Sequence, residues 1–490
     1  MRRRLRAATL ALAMIAGGNV TANAQQAAAD AAWTAGDFQT ARANYEKILQ
    51  SDPTSVRANY RLGVLASWDG KLDSALVLIR RARQADPDDP AIPLTEAQVL
   101  GWAERFDEAD SVYRVILVRD PDNQDAAVGR AQLLAWEGDL DGAIDAYQAL
   151  LARHDDNIQA VLGLGQVYLW QDKLDLARQQ SARARQLDPG NKTAWGFANS
   201  VSGARRPEPE ITLGWSHDSD HNTNWWQTIA ASLLLSDGLR GFGSVGALEG
   251  TDPIRKSTRL SAEAGVIFGV ADWRLTAALG IRHLLPGGAP NRTEGTYRAS
   301  AAYRINRSAG AVISYAHASF DETALLMARN LDISVLDAGL DIKLHPGLQL
   351  GAGGGRAWLN DSNYRTSGVL ALTRTLRPNL TAGLFTRIMG YDFHGVGYFS
   401  PNRFLVLEGR GSYGFARAPW HGRVSAGLGL QQIGASANLQ SEGHLDGRIG
   451  RNWGGDNTAD VFAGFSTSAE SSTTGAFRYY TAGVIVKLVF

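Results

Sequence analysis

The chain has 490 residues and balances 49 Lys+Arg against 49 Asp+Glu, so it lacks the excess positive charge that a general nucleic-acid binder spends on phosphates. It has no cysteine, which excludes disulfide scaffolds, thiolate zinc sites, iron–sulfur clusters and cysteine nucleophiles. Its 53 glycines with only 20% charged residues are unusual for a cytosolic enzyme, and 44% hydrophobic content argues against a polytopic helical membrane protein.

Residues 1–24 open with Arg2, Arg3, Arg4 and Arg6, continue through an apolar stretch from Ala7 to Ala16, and end in Ala22-Asn23-Ala24. Charge, a short apolar stretch and a small-residue cleavage site in that order predict a secretory signal peptide. No later run reaches the roughly 18 apolar residues that a membrane-spanning helix needs.

Residues 25–203 repeat every 34 positions. Pro53, Pro87, Pro121 and Pro189 share one register, with Asp155 where a further proline would stand. Trp68, Trp102, Trp136 and Trp170 share a second, and Ala41, Ala75, Ala109, Ala143 and Ala177 a third. Gly63, Ala97, Ala131 and Gly165 form another register of small residues. Leu62, Leu65, Ala66 and Trp68 precede Asp69-Gly70, and Leu76, Ile79 and Ala82 follow it, at helical spacing. Each unit is therefore expected to be a helix, a tight turn and a second helix that stops at Asp-Pro. This pattern resembles the tetratricopeptide repeat. The resemblance implies an α-solenoid, in which stacking buries an apolar stripe that one helix pair cannot bury alone and leaves a groove for partner proteins or peptides. The four tryptophans have two roles open to them: packing between repeats, and a ladder of platforms that stack on sugar rings or peptides.

After a short stiff linker at 204–209 (Arg205-Arg206-Pro207-Glu208-Pro209), residues 210–490 alternate with period two. Gly443, Leu445, Gly447 and Ile449 interleave with Glu442, His444, Asp446 and Arg448. A strand with ionisable side chains on one face and apolar ones on the other faces two solvents, lipid outside and water inside. About 16 such segments fit, which predicts a transmembrane antiparallel β-barrel. Connections after even strands are short, as in Ser236-Asp237-Gly238 and His345-Pro346-Gly347; those after odd strands are longer and polar, as in Asp321–Asn330 and Asp392–Asn402. That asymmetry is the outer-membrane pattern, with short turns on the periplasmic side.

Sixteen strands leave an aqueous lumen where about eight would be filled by side chains. Alternation assigns Arg259, Glu263, Arg274, Arg282, Arg298, Arg304, Asp337, Asp341, Arg387, Glu408, Arg410, Glu442, His444, Asp446 and Arg448 to it. Their mixed signs suit a hydrated, weakly charged solute; bracing the wall in salt-bridge ladders is the plainer role for any one of them. Tyr391, Phe393, Tyr398, Phe399 and Arg403, around the Asp392–Asn402 connection, are candidates for a constriction. His217, Asp218, Asp220 and His221 lack the second shell of a metal site. No metal, cofactor or catalytic constellation is expected.

The last segment places Tyr480, Ala482, Val484, Val486, Leu488 and Phe490 on one face. It resembles the final strand read by the outer-membrane barrel assembly machinery, which implies that Phe490 is the assembly signal. A repeat array joined to such a barrel resembles the outer-membrane exporters of bacterial exopolysaccharide. Gly397-Tyr398-Phe399-Ser400-Pro401-Asn402-Arg403-Phe404 is similar to the Tyr-Phe-Ser-Pro signature of the cellulose-export subunit and the YaiO-type outer-membrane family, and Ala131-Gln132-Leu133-Leu134-Ala135-Trp136-Glu137-Gly138 to their repeats. The array here is shorter than in the cellulose type. The resemblance implies an outer-membrane, porin-like exporter without enzymatic activity. On that resemblance its repeats are expected to lie in the periplasm and dock partners from a polysaccharide synthase, and its barrel to sit among outer-membrane lipid and pass the polysaccharide chain. The alternative is an anchored protein-interaction scaffold with a non-conducting barrel.

Overall fold

A computed structural model of the chain describes residues 24–204, 206–270, 272–306, 308–345, 347–377, 379–454, 457–472, 474–475 and 477–489. The expected leader up to Asn23, Arg205 of the expected linker, and Phe490 lie outside the described residues. The chain divides into two compact units, Met1–Val167 and Tyr168–Phe490.

The first unit is helical. It comprises α1 (24–34), α2 (Phe38–Ser51), α3 (Val56–Trp68), α4 (Leu72–Ala85), α5 (Ala91–Trp102), α6 (Phe106–Arg119), α7 (Gln124–Glu137), α8 (Leu140–Leu151) and most of α9 (Ile158–Trp170). The 34-residue registers have direct structural causes. Asp52, Asp86 and Asp120, each just before a repeat proline, are C-caps, because the following proline cannot continue the helix. A few residues on, the Ser55 and Asn123 side chains accept the backbone N–H of Ala58 and Ala126 and start the next helix. A Cβ on Gly63 would sit 2.6 Å from Ile79 Cγ1, which is why that register holds only Gly or Ala: α3 and α4 approach too closely for more. Ala75, Ile79, Ile92, Ala97, Leu100 and Ala109 are fully buried between the helices. Glu96 is buried with them and pairs with Arg80, at 2.8 Å, and Arg83, at 2.7 Å.

The second unit opens with α10 (Leu174–Leu187) and α11 (Lys192–Gly203) and continues into sixteen strands. They are β1 (Glu210–Asp218), β2 (Thr223–Ser236), β3 (Leu239–Thr251), β4 (Lys256–Val270), β5 (Trp273–Leu285), β6 (Arg292–Asn306), β7 (Ala309–Ser319), β8 (Asp332–His345), β9 (Leu348–Leu359), β10 (Tyr364–Arg377), β11 (Leu380–Tyr391), β12 (Phe404–Arg417), β13 (Trp420–Ile433), β14 (Gln440–Trp453), β15 (Asn457–Ser466) and β16 (Tyr479–Lys487). Every strand pairs antiparallel with its sequence neighbours, and β1 pairs with β16 from Glu210↔Lys487 to Asp218↔Tyr479, which closes a barrel. Closure leaves no edge strand with unpaired amides. The turn between β2 and β3 also caps α10. Lys173 provides no side-chain cap for that helix, and Asp237 accepts the Leu174 N–H at 2.9 Å in its place.

The fold is the expected one, a tetratricopeptide array followed by a closed sixteen-strand barrel. One connection differs from expectation. Between β7 and β8, where a polar loop is expected, lies α12 (Ala324–Arg329). Its Ala-Leu-Leu-Met-Ala stretch is bounded by Thr323, whose side chain accepts the Leu326 N–H, and by Asn330 at φ 55°. Those are helix start and stop signals inside a segment too short for periodicity to reveal.

Candidate functional site

The barrel interior is built by parity. Leu213, Trp225, Ile229, Val245, Leu279, Leu384, Leu407, Leu428 and Val461 all expose half or more of their surface on the outer face. The sequence-assigned lumen residues occupy the alternate positions. Arg259 and Glu263 alternate with Leu260 and Val266 in β4, and Arg274 and Arg282 with Leu275 and Ile281 in β5. Arg298 and Arg304 alternate with Tyr297 and Tyr303 in β6, and Asp337 and Asp341 with Leu336 and Leu340 in β8. Arg387 neighbours the outward Ile388 in β11, and Glu408 and Arg410 flank Gly409, next to the outward Leu407, in β12. Glu442, His444, Asp446 and Arg448 alternate with Leu445 and Ile449 in β14.

Many of these side chains meet in ion pairs along the wall. Arg298 reaches Glu263 at 2.8 Å and Arg304 reaches Asp272 at 2.7 Å. Glu408 is buried between Arg410 and His444. Asp460 takes Arg448 at 2.9 Å and His421 at 2.8 Å. Glycine makes this possible. A Cβ on Gly427 would fall 1.8 Å from Glu408 Oε1, and one on Gly450 2.2 Å from Asp460 Oδ1. Asp337 lies over Gly355 and Asp446 over Gly464 in the same way. The carboxylates lie flat on neighbouring glycines instead of filling the lumen. Asp460, His421 and Asp272 belong to this set and are absent from the sequence assignment; Asp460 alternates with Ala459 and Val461 and was findable by parity.

At the rim that carries the β7–β8, β11–β12 and β15–β16 connections, the chain turns onto the inner wall. Asp321 is 1% exposed and accepts from Arg259 at 2.8 Å and Arg282 at 3.0 Å. Ser257 Oγ donates to the Ala324 carbonyl, and Arg292 Nη1 to that of Met327. These bonds carry α12 from β7 and β8 to β4, β5 and β6. Leu326 and Leu331 join Leu359, Phe385, Met389, Tyr391, Tyr398, Phe404, Val406 and Ala469 in one buried apolar cluster. Tyr398 donates to Asp361 at 2.9 Å and packs edge-on against Phe320 at 5.6 Å. Gln431 Oε1 accepts the Ala469 N–H, and Ser472 donates to Asp218 at 2.8 Å. Of the constriction candidates, Tyr391 and Tyr398 are covered by protein, Phe399 packs against the cluster, and Phe393 is exposed. Arg403 lends its carbonyl to the Gly434 N–H. His217 bonds Thr223, and Asp218 is satisfied by Asn222 and Ser472; among the described residues no metal-binding cluster forms.

The tetratricopeptide-repeat family profile matches residues 32–99, 68–136 and 134–198. No curated protein matches the chain. Similar solved structures include a bacterial polysaccharide outer membrane secretin, at 16% identity over 59% of this chain and 99% of that one with a TM-score of 0.48. They also include MamA, at 20% identity over 34% of this chain and 92% of that one with a TM-score of 0.30. A third is PilW, a type IV pilus biogenesis factor, at 19% identity over 37% and 89% with a TM-score of 0.32.

Proposed function

We propose that the protein is an outer-membrane exporter that passes a nascent exopolysaccharide to the cell surface, with the repeat array on the periplasmic side docking synthase or modification partners. One observation carries the reading: a closed sixteen-strand barrel is bare and aliphatic outside and lined with glycine-bedded ion pairs inside. Sixteen strands are the size at which barrels hold a water channel. A wall whose charges pair with one another keeps that water polar without binding a charged solute tightly. No chemistry on the polymer is needed, because the barrel lowers the barrier by replacing lipid with water and polar walls. The resemblance to the cellulose-export and YaiO-type proteins agrees with this reading. Deleting residues 210–490 is expected to abolish surface polymer while synthesis continues; undiminished surface polymer refutes the proposal.

The second reading, an anchored scaffold with a closed barrel, is favoured by the apolar cluster that joins three connections across the inner wall at one rim. Planar-bilayer conductance separates the two. An exporter shows discrete channel openings, rarer with the β7–β8 connection docked and commoner when its ion pairs are removed. A scaffold stays silent in both forms.

A further inference from the structure

Two arginines stand on the outer face of the barrel at the rim of short turns, where β12 and β13 are joined by Ala418-Pro419 alone. Arg417 shares its face of β12 with the exposed Leu407, Tyr413 and Phe415, and Arg451 shares its face of β14 with Leu445, Ile449 and Trp453. Trp420 stands between them on β13, paired with Arg417 on one side and with Arg451 on the other. The row is therefore Arg-Trp-Arg across three neighbouring strands. The two arginine backbones are about 10 Å apart, twice the spacing of paired strands. The Arg451 guanidinium lies 5.8 Å from the centre of the Trp420 ring, within cation–π range.

Both arginines are exposed, and among the described residues neither has an acidic partner. The outward positions of β12, β13 and β14 hold no Asp or Glu from end to end. Cations elsewhere in this wall are neutralised: the inward Arg448, three residues before Arg451, takes Asp460 at 2.9 Å, and at the opposite rim the outward Lys256 takes Glu249 at 2.8 Å. An arginine at the edge of the hydrocarbon needs only water at its tip, which it reaches by snorkelling. That accounts for a single arginine and does not call for two flanking one indole on a face cleared of acid. A phosphate does, because guanidinium N–H groups hold its oxygens in pairs and an indole is at home at headgroup level. Farther along the same face of β14, four residues from Arg451, Gly447 pairs with Ala463, and a Cβ on Gly447 would meet nothing within 4 Å. That step is about 13 Å along the strand, the scale that separates a headgroup from its acyl chains. A basic seat for a headgroup thus adjoins a shallow bare strip for a chain.

We propose that Arg417, Trp420 and Arg451 form a binding site for an anionic glycerophospholipid of the periplasmic leaflet, one whose phosphate charge is not offset by a headgroup amine. The site rests only on the bilayer-spanning part of the export reading and needs no conduction. An ethanolamine headgroup carries a charge of the same sign as the arginines, so the site discriminates against it. The test is native mass spectrometry of the full-length protein in a non-ionic detergent, titrated with phosphatidylglycerol or with phosphatidylethanolamine. The one-to-one phosphatidylglycerol complex is expected to half-saturate at a concentration at least about tenfold below that of phosphatidylethanolamine. The variant R417Q/R451Q is expected to weaken phosphatidylglycerol binding by at least about tenfold, whereas R423Q, which removes an inward arginine of β13, leaves it unchanged. Excess inorganic phosphate is expected to leave the lipid in place. Should the double variant lose the heat-modifiable gel migration of a folded barrel, the comparison of the two lipids on the wild type decides. Equal binding of the two lipids, undiminished binding by the folded double variant, an equal loss in R423Q, or full displacement by inorganic phosphate overturns the site. A barrel that conducts in planar bilayers without lipid preference sinks the site and spares the export reading; a silent barrel that retains phosphatidylglycerol does the reverse.

Discussion

The array and the barrel solve the same burial problem in opposite directions. In the array, small residues let helices close on one another, so that Ala75, Ile79 and Ala97 are shut away from solvent. In the barrel the large aliphatics are on the outside, with Leu279 and Leu428 more than 70% exposed, and it is Glu408, Asp321 and Asp460 that are shut away. Glycine serves both arrangements through its missing Cβ. Gly63 admits Ile79 in the array, whereas Gly427 and Gly450 admit the carboxylates of Glu408 and Asp460 in the barrel. The contrast shows that composition alone does not say which solvent a region faces; the period of the pattern and the placement of glycine do.

The contrast breaks most sharply where a buried charge is stranded. Replacing Arg259 and Arg282 together by alanine leaves Asp321 uncompensated, which costs about 3–5 kcal/mol for a buried ion pair cut on one side. The β7–β8 connection is expected to undock and channel openings in planar bilayers to become more frequent. Unchanged openings would mean that this connection does not obstruct the lumen. Gly63→Val tests the array's use of glycine: overpacking against Ile79 is expected to cost about 1–3 kcal/mol. It should lower the first transition in a thermal melt followed by helical circular dichroism and leave the barrel's strand signal unmoved.

A smaller effect follows from pH. Burial pushes the Tyr113 phenol up to about 12, above the value of about 10 in an unfolded chain. The folded state therefore holds that proton more tightly. Its contribution is intact below about pH 10 and is lost as pH rises towards 12. The array's melting midpoint is expected to fall across that window, and a Tyr113→Phe variant to flatten part of the fall. The smallest expected change is Asn123→Ala, which removes the α7 cap and costs about 1 kcal/mol. The same melt should register it as a slight lowering of the array transition, with the barrel again unaffected.

How much was legible depended on the range of the interaction. The helix pairs and the sixteen strands follow from periods of 34 and 2, and Asp-Pro and Ser or Asn caps mark boundaries because caps act within a few residues. The lumen face is legible by the same alternation, which Asp460 obeys as well. α12 is not legible in the sequence, since five apolar residues in a connection show no period. Tyr391 and Tyr398 stand out in the sequence as aromatic, but nothing local says that both are buried in one cluster with Leu326 and Leu331.

The sequence by itself determined the two architectures and which side chains share a strand face, because periodicity is a property of neighbouring residues and of backbone geometry that repeats identically. Only the tertiary structure decided that Asp321 meets Arg259 and Arg282, 62 and 39 residues away. It also decided that three connections share one apolar cluster, that Trp68 stacks on Trp33 and that Trp136 lies against Gly101. Those contacts join segments whose approach depends on closure of the barrel and stacking of the repeats, and no local pattern encodes the distance between them.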